Sequence, residues 1–228
     1  MNTSSKILSD VDLIFKSTFP PRNGFKIPEI KDVTDNETIK IEGAVLYADL
    51  RNSTQLVNTY THIVSIKIYK AFLKSICEVI RNNFGEITAF DGDRVMAVFT
   101  GSSKCSNATK AALQIYYIVN EINKKFLPYY IKYTIDYAVG IDVSDLSIIK
   151  TGIWHYNDLA WIGSAANIAA KLSEFKDQED KTFITQRVFE RINDESKYGG
   201  KPKTCMWHYI NKNLYGQDIL ASNWYWPF

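Results

Sequence analysis

The chain has 228 residues, of which 46% are hydrophobic and 23% are charged, so general disorder is excluded and one substantial core is expected. Its net charge is +2 and its 27 basic residues are scattered, which argues against a nucleic-acid or membrane partner. Because no apolar run reaches the roughly 18 to 20 residues that span a bilayer, and because Cys77, Cys105 and Cys205 show no CxxC spacing, we expect a cytoplasmic protein with reduced thiols.

The first forty residues are predicted to form an accessory segment. Apolar residues at helical spacing predict a helix over Ser4–Phe19, and Pro20-Pro21 ends it. The polar stretch Asp32–Thr38 is turn-like. We therefore expect an accessory helical segment over residues 1–38 and a single catalytic domain over residues 39–228.

β-Branched and aliphatic residues predict a strand over Ile39–Leu50. Ser53 or Thr54 is expected to cap the helical region that follows, which runs to about Asn83 and stops at Phe84-Gly85.

A hairpin is predicted next, because Asp91-Gly92-Asp93-Arg94 joins two short apolar runs, Glu86–Phe90 and Val95–Thr100. The later predicted elements are a helix over Ser102–Phe126, a strand pair formed by Ile131–Val143 and Ser147–Ile153, a helix over Gly163–Phe175, a strand over Thr182–Thr185, and a tail hairpin formed by Met206–Ile210 and Tyr215–Trp226. This order predicts an α+β domain with helices packed on a mainly antiparallel sheet.

Two carboxylates are candidates for chemistry. Asp49 ends the first long strand, and Asp93 lies in the predicted hairpin turn, so the two can share one site. Mg²⁺ and Mn²⁺ prefer oxygen ligands, and two such ions about 3.5 to 4 Å apart can clamp the attacking and leaving oxygens of a phosphoryl displacement. The alternative is that Asp91-Gly92-Asp93 is only a solvated turn.

Three sequence blocks resemble the class III adenylate and guanylate cyclases, in the family's order and spacing. Val45–Thr54 resembles their first metal strand with its phosphate-binding turn, Gly92–Phe99 their second metal hairpin, and Trp161–Lys171 the helix that carries their transition-state residues. The resemblance extends from about Ile41 to Ile192. It implies a ferredoxin-like or palm-type sheet with packed helices, and an enzyme that converts a nucleoside triphosphate to a 3′,5′-cyclic nucleotide and pyrophosphate.

The resemblance also assigns site residues. Two Mn²⁺ or Mg²⁺ ions per site would be bound at Asp49, Leu50 and Asp93. The substrate phosphates would be bound by the residues after the first strand, which are Arg51, Asn52, Ser53 and Thr54. A turn that leads into a helix N-terminus would aid this binding.

Asn167 would orient the ribose, and Lys171 would stabilise charge on the α-phosphate. The family normally has an arginine at the position of Lys171, and lysine lacks the bidentate fork, so the geometry of this role is expected to differ. Without the family match, Lys171 would be interpreted as an exposed helical lysine.

The base-recognition positions depart from the purine cyclases. Those enzymes select the base with a lysine before the second metal hairpin and an Asp or Thr before the glycine of the third block. Here the aligned residues are Ala89 and Ala160, which form no side-chain hydrogen bonds. This combination, together with the tail from Leu214 to Trp226, resembles the pyrimidine cyclases of the bacterial anti-phage systems known as Pycsar. It implies cyclic UMP or cyclic CMP as product and a separate effector that the product activates.

Tyr47 and Arg94 are the candidate base readers. Tyr47 lies two residues before Asp49 and is expected to face the same side, where its ring could narrow the pocket. Arg94 offers donors to carbonyl oxygens, which slightly favours UTP over CTP. The alternatives are that Tyr47 is a core aromatic residue and that Arg94 pairs with Asp91.

In the class III cyclases, the metal aspartates and the transition-state helix come from different subunits, so the resemblance implies a homodimer with shared sites. The histidines His62, His155 and His208 match no motif and are interpreted as structural. Three rival hypotheses remain: a purine cyclase with an unusual base pocket, a non-catalytic cyclase-like domain that binds nucleotide or a partner protein, and a structural or dimerisation module.

Overall fold

The structure is a computed structural model that describes residues 2–130, 132–153, 156–175 and 179–228. The chain forms two compact units, Met1–Ile41 with Leu146–Ile162, and Glu42–Asp145 with Gly163–Phe228. Two long strands, β2 (Thr38–Leu50) and β5 (Tyr137–Ile153), contribute residues to both units. Grouping by compactness does not test the functional division at residue 38, which stays a prediction.

The smaller unit contains an exposed helix and two strand pairs. Helix α1 (Thr3–Lys16) buries none of its residues, and it ends three residues earlier than the predicted Phe19. β1 (Pro21–Asn23) runs parallel to the start of β2, a short 3₁₀ turn follows at Ile30–Asp32, and β6 (Tyr156–Ile162) runs antiparallel to the end of β5.

The larger unit holds the main sheet. The other strands of this sheet are β3 (Glu86–Asp91), β4 (Arg94–Phe99), β7 (Thr182–Thr185), β10 (His208–Leu214) and β11 (Gln217–Ser222), whereas β8 (Tyr198–Gly199) and β9 (Thr204–Cys205) pair only with each other. The helices of the larger unit are α2 (Ser53–Thr59), α3 (His62–Asn82), α4 (Lys104–Lys125), α5 (Leu127–Tyr130), α6 (Ser164–Ser173), α7 (Gln186–Arg191) and α8 (Asp194–Lys197). The strand order is β10-β11-β7-β5-β2-β4-β3, and β5 and β7 run parallel whereas β2–β4, β3–β4, β7–β11 and β10–β11 are antiparallel. The predicted α+β architecture with a mainly antiparallel sheet is confirmed.

Helices cover both faces of this sheet. Successive side chains of a strand point to opposite faces, so β5 contributes to two cores. Tyr137 and Val139 join a large core with residues of α3 and α4, such as Phe72. Ala138 packs on the other face with Leu172 of α6. Helix α6 is therefore held on a fixed side of the sheet. Among the described residues, no helix is both long enough and apolar enough to cross a bilayer.

The helical region predicted after the first strand is present but interrupted. The chain forms two helices, α2 and α3, with Tyr60 and Thr61 between them. Ser53 and Thr54 do not cap α2; the residue before the helix is Asn52, in a left-handed conformation with φ 58°. The predicted end of α3 is confirmed, since Gly85 N donates to the carbonyl of Ile80 at 3.0 Å.

The two strands predicted after α4 were expected to pair with each other, but they are parts of one continuous strand. β5 continues without a turn through Ser144 and Asp145, and its end pairs with β6 rather than with its own start. These polar residues suggested a turn, but Ser144 Oγ accepts a hydrogen bond from Ala165 N at 3.1 Å, at the start of α6. The predicted strand began at Ile131, which lies outside the described residues, as does His155.

The tail hairpin is confirmed, but its turn lies elsewhere. Tyr215 and Gly216, predicted as the start of a strand, form the turn between β10 and β11, with φ 51° and 80°. β11 ends at Ser222, so the last aromatic residues follow the hairpin.

Candidate functional site

A cavity of about 720 Å³ lies where β2 ends, beside the β3–β4 turn. β2 and β4 are antiparallel neighbours with Asp49 opposite Arg94, and this pairing places Asp93 next to the end of β2. The lining residues are Asp49, Leu50, Arg51, Asn52, Ser53, Thr54, Gln55, Asn58, Asp91, Gly92, Asp93, Arg94, Ser173 and Glu174. The structure thus brings together both predicted metal carboxylates and most of the predicted substrate-binding residues.

Arg94 links two carboxylates in this cavity. Its Nη2 donates to Asp49 Oδ2 at 3.0 Å and to Glu174 Oε1 at 2.8 Å. The alternative interpretation named Asp91 as its partner, and the structure shows Asp49 and Glu174 in that role. Glu174 was missed by the sequence reasoning. It follows α6 directly and lies three residues after Lys171, a helical spacing that could have drawn attention to it.

The electrostatics of Asp49 suit a cation. Burial raises the pKa of the Asp49 carboxyl, the hydrogen bond and charge of Arg94 oppose that rise, and the carboxylates of Asp93 and Glu174 add to it. A nearby positive charge therefore stabilises the ionised form of Asp49.

The donor set at this end of β2 fits a divalent ion that keeps other ligands. Asp49 and Asp93 supply carboxylates, and Leu50, whose side chain is buried, can offer only a main-chain oxygen. Within the described ranges, no group of three or more His, Cys, Asp or Glu side chains could hold a metal alone. Mg²⁺ commonly binds through one or two carboxylates together with water and substrate phosphates, so these residues fit such a site.

The first backbone amides of α2 have no hydrogen-bond acceptor within that helix. The first intrahelical hydrogen bond runs from Leu56 N to Asn52 O at 3.1 Å, so the amides of Ser53 and Thr54 precede it. Both residues line the cavity. Such N-terminal amides can donate hydrogen bonds to an anionic ligand.

Arg51 contacts other parts of the chain, and its predicted role in phosphate binding stays a prediction. Its backbone N–H donates to Asp136 O at 2.8 Å. Its side chain is buried, with Nη2 donating to Asp180 O at 3.1 Å and Nη1 lying 3.5 Å from Asp136 Oδ1. These contacts fasten the turn to the residues that precede β5 and β7.

Asn167 and Lys171 line a second cavity, of about 710 Å³, between α6 and the β10–β11 turn. They lie one helical turn apart and are both exposed. Glu174 borders both cavities, whereas Asn167 and Lys171 are not among the described residues that line the first. One chain therefore presents the two predicted groups of site residues to two different cavities.

The position of α6 is fixed by its supports. Gly140 of β5 approaches the helix so closely that an added Cβ would lie 2.3 Å from the carbonyl oxygen of Ala169. At the start of α6, Arg187 Nη2 donates to Ser164 Oγ at 3.0 Å, and the same guanidinium forms an ion pair with the buried carboxylate of Asp142.

The sheet next to Asp49 carries three of the positions predicted to select the base, Tyr47, Ala89 and Arg94. Tyr47 lies opposite Met96 in the β2–β4 pair, and Met96 lies opposite Ala89 in the β3–β4 pair. Tyr47 is only partly buried; its hydroxyl donates to Met96 Sδ at 3.1 Å, and the Arg94 guanidinium lies 6.0 Å from the centre of its ring. Burial raises the pKa of the Tyr47 phenol. Ala160 lies on β6, in the smaller unit.

The fold is that of the class III nucleotide cyclases. The adenylyl cyclase CyaB from P. aeruginosa is similar with a TM-score of 0.70 at 16% identity, over 82% of this chain and 95% of that chain. A class III adenylyl cyclase-like ATP-binding protein from Pseudomonas aeruginosa has a TM-score of 0.66 at 16% identity, over 82% of this chain and 43% of that chain. The non-canonical dimeric guanylyl cyclase domain of the RhoGC fusion protein from the aquatic fungus Blastocladiella emersonii has a TM-score of 0.63 at 11% identity, over 81% of this chain and 97% of that chain. At these identities the similarity shows the fold alone.

Sequence relatives narrow the assignment. A uridylate cyclase from Xanthomonas perforans is 37% identical over 220 residues, 93% of this chain and 93% of the relative. Uridylate cyclases from Burkholderia cepacia and from Rhodovulum sp. (strain MB263) are 40% and 35% identical, over 87% and 99% of this chain and 86% and 98% of theirs. No protein-family model matches the sequence. The chain belongs to the uridylate cyclase family and is therefore a nucleotide cyclase.

Proposed function

We propose that this protein converts UTP to 3′,5′-cyclic UMP and pyrophosphate. The observation that carries the proposal is the pairing of Tyr47, Met96 and Ala89 in one row across the sheet, directly beside Asp49 and Arg94. Ala89, at the position where purine cyclases have a lysine, has no donor for a purine. The names of the relatives support the same base.

Arg94 retains donors for the base. A guanidinium has five N–H groups, and the two contacts of Arg94 with described residues both use Nη2, so within that part of the chain Nε and Nη1 can donate to other acceptors. Uracil presents two carbonyl oxygens and cytosine presents one, so UTP suits this donor set better than CTP. Tyr47 beside it would limit the pocket to a single ring.

Asp49, Asp93 and the main chain at Leu50 would hold two Mn²⁺ or Mg²⁺ ions. Such ions, when bound, act as Lewis acids that lower the pKa of a bound hydroxyl and neutralise phosphate charge. The amides of Ser53 and Thr54 would hold the β- and γ-phosphates, with the left-handed Asn52 shaping their turn.

The chemistry is an in-line displacement within the substrate. A bond forms from the ribose 3′-oxygen to the α-phosphorus, and the bond from that phosphorus to the β-phosphate oxygen breaks, so pyrophosphate leaves. The hydroxyl proton passes to solvent. Asn167 would orient the ribose, and Lys171 would stabilise the charge that develops on the α-phosphate oxygens.

The protein would act as a homodimer with shared sites. Support comes from the two cavities of one chain, because the residues of the second, Asn167 and Lys171, would complete the first cavity of a partner. Mixing Asp49→Ala with Asn167→Ala subunits should restore part of the activity that each variant lacks. If the mixture stays inactive while both variants remain dimeric, the sites are not shared.

The cyclic nucleotide would serve as a second messenger in anti-phage defence in the cytoplasm, read by a separate effector. Support for this role is the resemblance to the Pycsar cyclases at Ala89, Ala160 and the tail.

The test incubates purified protein with each of ATP, GTP, CTP and UTP plus Mn²⁺ and identifies products by mass. We expect cyclic UMP, abolished by Asp49→Ala and retained by the matched control Asp194→Ala on the exposed start of α8. Cyclic CMP would correct the base alone, and cyclic AMP or GMP would refute the base-pocket argument. No product, with nucleotide still bound, would favour a binding module.

A further inference from the structure

Lys171 has a partner that no sequence motif predicts. Its ammonium donates a hydrogen bond to the hydroxyl of Tyr215, and the same ammonium lies 4.6 Å from the centre of the Tyr215 ring. Both side chains are exposed and both line the second cavity. A flexible lysine is thus held at two points, by an acceptor oxygen and by an aromatic face.

The place of Tyr215 is set by the hairpin rather than by α6. Tyr215 occupies the turn between β10 and β11 with φ 51°, followed by Gly216 with φ 80°. The turn is braced because Gly216 N donates to Asn213 Oδ1 at 2.9 Å and Asn213 Nδ2 donates to Asp218 Oδ1 at 2.8 Å. The phenol therefore projects from a hydrogen-bonded turn, which gives Lys171 a fixed partner.

We propose that Tyr215 is a positioning residue for Lys171 and substitutes for the rigidity that an arginine would provide. An arginine presents a planar guanidinium that loses little conformational entropy for each hydrogen bond it forms. A lysine instead presents a compact charge at the end of a flexible four-carbon side chain. One of the three ammonium hydrogens goes to Tyr215, which leaves two for phosphate oxygens. The inference rests on the proposed role of Lys171 and adds the residue that orients it.

The kinetic test is a double-mutant cycle, run with whichever triphosphate the wild-type protein cyclises. Tyr215→Phe keeps the ring and the turn but removes the acceptor. Hydrogen bonds to charged groups contribute on the order of 1.5–3 kcal/mol. Because this pair is exposed, we expect the low end, a fall in kcat of about tenfold with KM changed by less than about twofold.

In a Lys171→Ala background, Tyr215→Phe should change kcat by less than about twofold, since Tyr215 acts only through Lys171. The matched control is Tyr209→Phe on the same hairpin; the Tyr209 hydroxyl bonds to Gln186, so kcat should be unchanged. An equal loss from Tyr215→Phe with and without Lys171 would overturn the proposal.

A second readout needs no catalysis and separates this inference from the proposed function. Labelling with an amine-reactive ester, followed by peptide mass analysis, reports how accessible and mobile the Lys171 ammonium is. We expect Tyr215→Phe to raise the labelling rate of Lys171 severalfold while Tyr209→Phe leaves it unchanged. An unchanged rate in Tyr215→Phe would refute the contact, whether or not the protein proves to be a pyrimidine cyclase.

Discussion

Because Arg94 donates a hydrogen bond to Asp49, we predict that Arg94 weakens the binding of a divalent ion at that carboxylate. Arg94 Nη2 occupies Asp49 Oδ2 at 3.0 Å, on the carboxylate proposed to bind a cation. A guanidinium and a divalent ion at one carboxylate repel each other, so Arg94 competes with the metal. Replacing it by methionine, which has a comparable stem, removes the charge and retains much of the packing volume.

Two effects of opposite sign follow from Arg94→Met. The side chains of Arg94 and Asp49 are 23% and 18% exposed, so this ion pair is intermediate between a surface pair and a buried pair. A surface pair contributes at most about 1 kcal/mol, whereas breaking a buried pair costs about 3–5 kcal/mol. We therefore expect a loss of roughly 2 kcal/mol in EDTA, or a Tm about 4–8 °C lower for a chain of this size.

With Mn²⁺ the stability difference between Arg94→Met and wild type should become smaller. A tenfold gain in metal affinity adds about 1.4 kcal/mol at saturating ion, so the Tm increment on adding Mn²⁺ should be about 3–5 °C larger in Arg94→Met than in wild type. Differential scanning fluorimetry with an Mn²⁺ titration measures both numbers. The control is Arg22→Met, which breaks a more exposed pair with Glu37 and should leave the increment unchanged. Equal increments in Arg94→Met and wild type would falsify the competition.

The remaining predictions concern the supports of α6 and the thiols. Gly140→Ala should shift the helix that carries Asn167 and Lys171, because its Cβ would lie 2.3 Å from the Ala169 carbonyl; we expect a loss of about 1–3 kcal/mol by denaturant melts and a lower kcat, with the Mn²⁺ increment in Tm retained. Arg187→Met should cost about 3 kcal/mol, since it leaves the buried Asp142 carboxylate without its cation, and a small loss would show that Thr185 alone suffices. At pH 8, iodoacetamide should label the exposed Cys205 and spare Cys105, because burial raises the pKa of the Cys105 thiol to about 11 and keeps it protonated; rapid labelling of Cys105 in folded protein would contradict this.

The sequence by itself determined the features that depend on neighbouring residues. The first long strand and the Asp-Gly hairpin follow from short-range propensity and turn chemistry, and both are confirmed. Three ordered sequence blocks indicate the family by themselves, because their spacing reflects one arrangement of strands and helices. The base argument likewise needed only two aligned positions, Ala89 and Ala160, and the resemblance of the tail.

Only the tertiary structure decided which distant residues meet. Glu174 contacts Arg94 from 80 positions away, and the buried Arg51 lies beside Asp136 from 85 positions away. The burial of Arg51 and its contacts could not be predicted from neighbouring residues, because Asp136 and Asp180 are distant in the sequence. The continuity of β5 was hidden for a related reason: Ser144 and Asp145 have turn-like polarity, but Ser144 bonds to the start of α6. Local propensity sets the elements, whereas packing across the sheet sets the partners of each polar group.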